Sequence, residues 1–539
     1  MEPATLVDLF AASAERHPER IALDVRDTAL TYRQLDTAAA RMAAVMVRQL
    51  PHRPARIGLL AARSLTTYTG YLAALRLGAA VVPLNPSFPA ARLRAIADMT
   101  DLDLIVVDEY ATARAGELAA AEGADGTDGR KLPPLVAFTD AEAAGAVADD
   151  VQPAPVVRVS PEDVAYILFT SGSTGRPRGV PIRHGRVVPT LRWLVEYNAF
   201  TPESRVSQNV EISFDVAVFE LFAAWAGGGA LVVPRPNDVV RPAPYVNAKR
   251  VTHWFCVPSV GGIAARTGGL APDSMPSLEA VLFGGERLLA EQAEQWAAAA
   301  PGARLWNLYG PTEVAIVCSG QDLGGKGALL AAGTNGTLPI GEVPPHLDHV
   351  ILDDEGEPAE TGELCVRGVQ RFDGYLDPAD DVGRFVEWSP GRAAVVHDGT
   401  APLTRDLWYR TGDRVRRENG ALVHLGRLDH QVKLRGHRIE LGEVDAALAR
   451  HPAVRDAVAV VQEHESDAEL VAYYTGEAIS QSDLTAFLRA RLPVYMIPRR
   501  FTHLQKLPLN ANGKVDRTAF AAGPHSATPA GRDLDSRET

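Results

Sequence analysis

The stretch VAYILFTSGSTGRPRGV, residues Val164–Val180, decides the fold. Its first half, VAYILFT, is a short apolar run that stops at turn residues, the signature of a buried strand. The second half is glycine, hydroxyl and arginine, a composition suited to an anion. Gly lets backbone N–H groups converge, Ser and Thr donate further hydrogen bonds, and Arg adds charge. A flexible linker has a similar composition. The GxxxxGK[ST] spacing of P-loop enzymes is absent, and Arg178 stands at the cationic position. The preceding strand favours phosphate, because parallel sheets hold their ligands beyond the carboxyl ends of their strands.

Working outward, the same alternation recurs. IALDVRDTALTYRQLD reads as two short strands and the start of an amphipathic helix, and RIGLLAA, TTYTGYLAALRLG and AAVVPLNP form a strand–helix–strand unit followed by LDLIVVDEY. The fold class is therefore α/β, with a large N-terminal domain of parallel-rich sheets and helices. LEAVLFGGE and ARLWNLYGPTE repeat the pattern of strand then Gly-containing turn, so three strand ends could line one cleft. Gly116 to Asp150 reads as surface loop, and Asp377 to Leu407 as an irregular insertion. From Gly341 the text turns to hairpins, HVILDDEGEPAETGELCVRG and RRENGALVHLGR, which suggest a small β-barrel-like part. A compact α+β unit begins near Asp429. The reading is thus a large domain over 1–428, a small mobile domain over 429–520 and a disordered tail over 521–539.

Composition narrows the class. With 539 residues, 46% hydrophobic and 22% charged, the chain is a multidomain globular protein. Its 54 basic and 67 acidic residues leave a net charge of −13, which argues against nucleic acid as a partner. Cys256, Cys318 and Cys365 lack metal or disulfide spacing, and no stretch approaches the roughly 20 apolar residues of a membrane span. A cytoplasmic protein with no membrane partner is expected.

Ten segments, in order, carry a resemblance: LTYRQLD, LRLGAAVVPLNPSFP, YILFTSGSTGRPRGV, SFDVAVFE, NLYGPTE, GELCVRG, YRTGD, GRLDHQVKLRGHRIELGEVD, LPVYMIP and NANGKVDR. Together they resemble the adenylate-forming enzymes, and within them the amino-acid-activating adenylation domains of nonribosomal peptide synthesis. The resemblance implies attack of a carboxylate on the α-phosphate of Mg-ATP, giving an acyl-adenylate and pyrophosphate, then transfer to a thiol. Such a site must offset the repulsion of two anions and hold the attacking oxygen in line.

On this resemblance Lys514 is the catalytic lysine bridging carboxylate and α-phosphate, and Glu313 the Mg²⁺ carboxylate. Thr170, Ser171, Gly172, Thr174 and Gly175 belong to the phosphate loop, and Thr312 and Gly310 to the turn that meets the α-phosphate. Tyr309 stacks on adenine while Asn307 and the Gly285 backbone hold its edge. Asp413 accepts from the ribose hydroxyls, Arg427 approaches the same sugar, and Asp429 is the hinge. The family has Lys where this chain has Arg178, whose role is then supporting and orienting.

Asp215, in SFDVAVFE, falls where the amino-acid-activating subgroup keeps an aspartate for the substrate ammonium; an aspartate there also reads as a helix N-cap. Carried over position by position, the walls are Val216, Phe219, Cys256, Leu282, Gly284, Leu308, Ile316 and Val317. They are apolar, so the expected substrate is a neutral, small to medium aliphatic or cyclic amino acid such as proline, valine or leucine. No condensation-domain sequence precedes Leu6, and the roughly 20 residues after Arg517 are too few for a carrier domain. The expectation is a free-standing enzyme loading a separate holo carrier protein. The alternatives are a carboxylate–coenzyme A ligase, against which Asp215 counts, and an inactive binding protein, against which Lys514, Glu313 and Asp413 count.

Overall fold

Apolar runs alternating with helices give two parallel-rich sheets. The computed structural model describes residues 2–121, 131–146, 152–172, 176–327, 331–429, 431–464, 467–508, 515 and 517–520. Contacts divide the chain into two units, the larger holding residues 1–170, 177–429 and 435–437, the smaller 171–176, 430–434 and 438–539.

In the larger unit, one sheet runs in the order Leu135–Phe138, Leu104–Asp108, Arg56–Leu60, Ala80–Leu84, Val164–Thr170, Arg178–Arg183. All neighbours are parallel except the last pair, in which Thr170 lies opposite Arg178. The second sheet runs Ser319–Gly324, Arg304–Tyr309, Ala280–Gly284, His253–Cys256, Arg205–Ser207, Ala230–Val233, Ile21–Val25, Thr28–Thr31, parallel throughout except at its two edges. Both sheets contribute to one apolar core, with Leu59 and Val81 from the first and Leu231 and Leu282 from the second. The helix Asp215–Ala226 belongs to this core: DVAVFELFAAWA is apolar on nearly every side, the mark of a helix buried all round. It stops where Gly228 takes φ of +77° and the Gly229 N–H returns to the Ala224 carbonyl.

The hairpin readings hold. Leu347–Leu352 pairs antiparallel with Thr361–Gly368, and Trp408–Glu418 with Ala421–Arg427 through Asn419 and Gly420, both at positive φ as a two-residue turn of this hand requires. They form a six-stranded antiparallel sheet. Two loop readings need correction. Within Asp377–Leu407, Phe385–Ser389 and Arg392–Val396 form a hairpin about Pro390-Gly391, and Phe385 and Val386 pair with Tyr409 and Trp408. Within Gly116–Asp150, the helix Thr112–Ala120 continues past Gly116 and Leu135–Phe138 adds a parallel edge strand. Short segments with little periodicity are ordered here by neighbouring strands, which outweigh weak local preference.

In the smaller unit, Val454–His464 and Asp467–Gly476 form a long antiparallel pair, and Arg500–His503 joins the second strand in parallel. The helices Leu441–Ala449 and Gln481–Arg489 cover one face around Ile439, Val444, Leu484 and Leu488. Residues 521–539 lie outside the described residues.

Candidate active site

Parallel register brings the ends of two strands together. Gly284 lies opposite Leu308, so Gly285, Tyr309 and Gly310 share one edge. Gly285 has φ of +86°, and a Cβ there would have no heavy atom within 4 Å, so the backbone faces open space. The Tyr309 hydroxyl donates to Asp413 Oδ2 at 2.7 Å. Burial, then the Asp413 charge, pushes this phenol well above its ordinary range, so it remains a donor. Asp413 is 2% exposed and also accepts from His424 Nε2 at 2.8 Å and Arg427 at 2.9 Å. Arg427 reaches on to Asp429 at 3.0 and 2.7 Å, which makes the sequence-predicted hinge residue the far end of this network. Asn307 commits its amide nitrogen to the carbonyls of Pro339 at 2.8 Å and Leu338 at 3.4 Å, anchoring that segment to the strand Arg304–Tyr309.

A second chain of contacts surrounds the 3₁₀ turn Thr312–Val314. Glu313 is fully buried and accepts from the Tyr375 hydroxyl at 2.7 Å. Arg178 lies 5.1 Å over the Tyr375 ring and 3.3 Å from Asp380, and is itself 3% exposed. The cation at the end of the glycine-rich loop is thus held by a carboxylate, with Tyr375 linking it to Glu313. Opposite it, the buried Thr170 hydroxyl has no hydrogen-bond partner among the described residues. An orphaned donor at a strand's carboxyl end suits a phosphate oxygen. Among the described residues no group of three or more His, Cys, Asp or Glu could hold a metal ion. One carboxylate fits Mg²⁺, which keeps waters and binds substrate phosphates rather than an all-protein cage. Thr174, Gly175 and Lys514 lie outside the described residues, and Ser171 and Gly172 group with the smaller unit.

The third cluster is apolar. Asp215 opens the helix Asp215–Ala226, while Phe214 holds the N-cap position without a side-chain cap. Asp215 Oδ1 accepts from the Val216 N–H at 2.8 Å, so it is a first-turn carboxylate favoured by the helix dipole rather than the cap. Phe219, Leu282, Leu308, Ile316 and Val317 are buried in one cluster, with Val216 packed against it. Cys256 is a correction. It belongs to the opposite cluster with Trp254, Phe283 and Trp296, and its thiol, pushed far above the ordinary range by burial, is inert there. Side chains alternate along a strand, so it is Phe255 that lies on the Leu282 face, paired in register with Leu282. Gly284 leaves room for it: a Cβ at 284 would stand 2.9 Å from the Phe255 ring.

Against this geometry the comparisons are decisive. A family model described as "AMP-binding enzyme" matches residues 10–376, and one described as "AMP-binding enzyme C-terminal domain" matches residues 443–514. The chain belongs to the AMP-binding enzyme family. Phosphinothricin tripeptide synthetase PhsC of Streptomyces viridochromogenes is 36% identical over 533 residues, covering 96% of this chain and 45% of that protein. The chain therefore spans under half the length of that relative. Among solved structures, the Vibrio cholerae adenylation domain AlmE, in complex with glycyl-adenosine-5'-phosphate, has a TM-score of 0.78 at 25% identity and covers 96% of this chain and 97% of its own. NpsA-ThdA, an artificially fused adenylation–PCP di-domain from Klebsiella oxytoca, has a TM-score of 0.76 at 25% identity, covering 92% and 93%.

Four residues of this AMP-binding enzyme escape a motif reading. Phe255 could have been found by matching alternation in HWFC to that in AVLFG. Tyr375 and His424 reach Glu313 and Asp413 from segments 62 and 11 residues away, without a local signal. Glu220, in the SFDVAVFE motif, is fully buried and accepts from the N–H groups of Asn209 at 3.0 Å and Val210 at 3.1 Å. Asn209 in turn donates to the Phe255 carbonyl at 2.7 Å, which joins the helix of Asp215 to the strand of Phe255. Burial pushes the Glu220 carboxyl up to about 8.

Proposed function

We propose that this AMP-binding enzyme activates a neutral α-amino acid, small to medium and aliphatic or cyclic, such as proline, valine or leucine. Mg-ATP and the amino acid give an aminoacyl-adenylate and pyrophosphate, and the aminoacyl group passes to the phosphopantetheine thiol of a carrier protein. One observation carries the reading: a single carboxylate, Asp215, heads a helix whose inward residues Val216 and Phe219 share an apolar cluster with Phe255, Leu282 and Leu308. In this reading Asp215 faces the substrate ammonium, and the uncharged walls supply no partner for a charged side chain. The glycyl-adenylate in AlmE and the fusion of NpsA to a carrier support the same chemistry here.

In this reading the substrate carboxylate attacks the α-phosphorus and pyrophosphate leaves in line, with Lys514 stabilising the charge that develops. Tyr309 stacks on adenine. Asp413, held by Tyr309, His424 and Arg427, accepts from the ribose hydroxyls. Glu313 would hold Mg²⁺, which when bound offsets phosphate charge. Thr170 and Thr312 donate to phosphate oxygens.

Amino-acid-dependent ATP–pyrophosphate exchange over a full panel, followed by intact-mass measurement of candidate holo carriers, tests the proposal. Exchange with a neutral aliphatic amino acid and a matching mass gain on a carrier are expected. A preference for des-amino acids overturns amino-acid activation, a charged or large aromatic preference overturns the pocket, and loading of coenzyme A alone overturns the acceptor.

A further inference from the structure

The segment that carries the last two pocket walls is strained. After the turn Thr312–Val314 the chain passes through Ala315 at φ of +48° and Ile316 at +81°. Two successive residues with side chains in the left-handed region are rare, and for β-branched Ile316 the conformation is a genuine outlier. The Val317 N–H returns to the Ala315 carbonyl at 3.1 Å, closing a three-residue turn about Ile316. Such a turn persists only where its surroundings over-determine it.

Two neighbours supply that constraint. Gly310 lies directly against the turn: a Cβ there would be 2.5 Å from the Ile316 carbonyl oxygen and 2.7 Å from Val317 Cα. On the other flank, Gln370 is fully buried and its single amide nitrogen donates to the Val314 carbonyl at 2.8 Å and the Val317 carbonyl at 2.7 Å, spanning the strained pair. His346 Nε2 lies 2.7 Å from Gln370 Oε1 and fixes which end of the amide faces the turn. The Gln370 side chain therefore has both donors used on the turn and its acceptor used on His346.

We infer that Gln370 is a positioning residue for substrate specificity: by clamping Val314 to Val317 it holds Ile316 and Val317 in the conformation that closes the amino-acid pocket. The inference rests on the reading of Ile316 and Val317 as pocket walls. Without the clamp the turn relaxes to ordinary backbone angles, Ile316 and Val317 shift, and the pocket loses its discrimination by size. The carbonyls that Gln370 holds belong to Val314 and Val317, so the largest effect of its loss falls on the turn that carries Ile316 and Val317.

The test is Gln370→Met, which keeps length and volume while removing both donors, assayed by pyrophosphate exchange with the preferred amino acid and with one larger or smaller by a methylene. The ratio of kcat/KM between the two is expected to fall about tenfold, with KM for ATP changed less than the ratio and Tm lowered by the loss of two buried hydrogen bonds. A uniform loss for all amino acids with the ratio preserved overturns the inference. His346→Leu, which frees the amide to turn, is expected to lower the ratio less and in the same direction; it carries the test if Gln370→Met does not fold, and an unchanged ratio there overturns the inference as well. Leu308→Ala separates the two levels. If it leaves the ratio unchanged, the pocket itself is misassigned; if it changes the ratio while Gln370→Met does not, only the role of Gln370 fails.

Discussion

Asp413 and Asp215 carry the same charge and are held in opposite ways. Asp413 is 2% exposed, and three side chains from two strands donate to it, Tyr309 from Arg304–Tyr309 and both His424 and the Arg427 cation from Ala421–Arg427. Asp215 is half-buried at the head of a helix and accepts from the next amide in the chain. The first is fixed from all sides, as suits a group that orients neutral hydroxyls. The second sits in the first turn of its helix, where the dipole favours a carboxylate by about 0.3–1 kcal/mol. On the proposed function the first positions the ribose and the second meets the substrate ammonium.

The strongest way to set the scale of this contrast leaves both aspartates intact. Lys514→Ala is expected to lower adenylation by about 10³-fold or more, with ATP binding in calorimetric titration unchanged, because in the proposed mechanism the lysine acts on charge that develops in the transition state. Near wild-type exchange would remove Lys514 from the chemistry. Asp413→Ala should then cost both stability and nucleotide affinity. It removes the acceptor of the buried Tyr309 hydroxyl and one of the two carboxylates on Arg427, at about 1–3 kcal/mol in denaturant unfolding, and it raises KM for ATP.

Asp215→Ala should do neither. Its expected effect is about a hundredfold loss of discrimination between an amino acid and its des-amino analogue, with stability changed by under about 1 kcal/mol. Equal loss of stability in the two aspartate variants would erase the contrast. On the apolar side, Phe255→Leu should raise kcat/KM for a larger amino acid about tenfold, whereas Cys256→Ala, on the other face of the strand, should leave the preference order intact. The reverse result would restore Cys256 as the wall.

Glu220 bears on stability alone. Glu220 has its folded-state pKa raised from 4.5 to about 8 by burial. The folded chain then binds more protons than the unfolded one between those values, so this group's contribution is full below about pH 4.5 and is lost as pH rises toward 8. Glu220→Gln cannot ionise. The variant's stability relative to wild type is therefore expected to improve across that window, by at most about 1.4 kcal/mol per pH unit, and to level off above pH 8. A pH-independent difference between the two would show that Glu220 is ionised throughout.

Much of the fold was legible because its signals are local. The runs VAYILFT, RIGLLAA and AVVPL read as strands from composition, and Asn419-Gly420 announces its hairpin through the positive φ both residues adopt. The edge strand Leu135–Phe138 and the hairpin Phe385–Val396 were missed because neither has a strong pattern of its own. At the site, YGPTE and YRTGD placed Tyr309, Glu313 and Asp413, and the structure ties Tyr309 to Asp413 at 2.7 Å. Around Cys256 the segment WFCVPS carries no strong motif, and a shift of one residue reverses the face presented.

Residue chemistry was available from the chain alone: a carboxylate at 215 ahead of an apolar helix, a glycine-rich loop after a strand, acidic and aromatic residues in strand-end turns. Each depends on types and spacings a few residues apart. Which side chains meet depended on the tertiary structure. Register between parallel strands put Phe255 rather than Cys256 beside Leu282, and long-range pairing captured Arg178 with Asp380, Glu313 with Tyr375, and the strained turn at Ile316 with Gln370. The reason is physical. Local conformation follows from each residue's own torsional preferences, whereas direction, burial and partner are set by neighbours brought in from tens to hundreds of residues away.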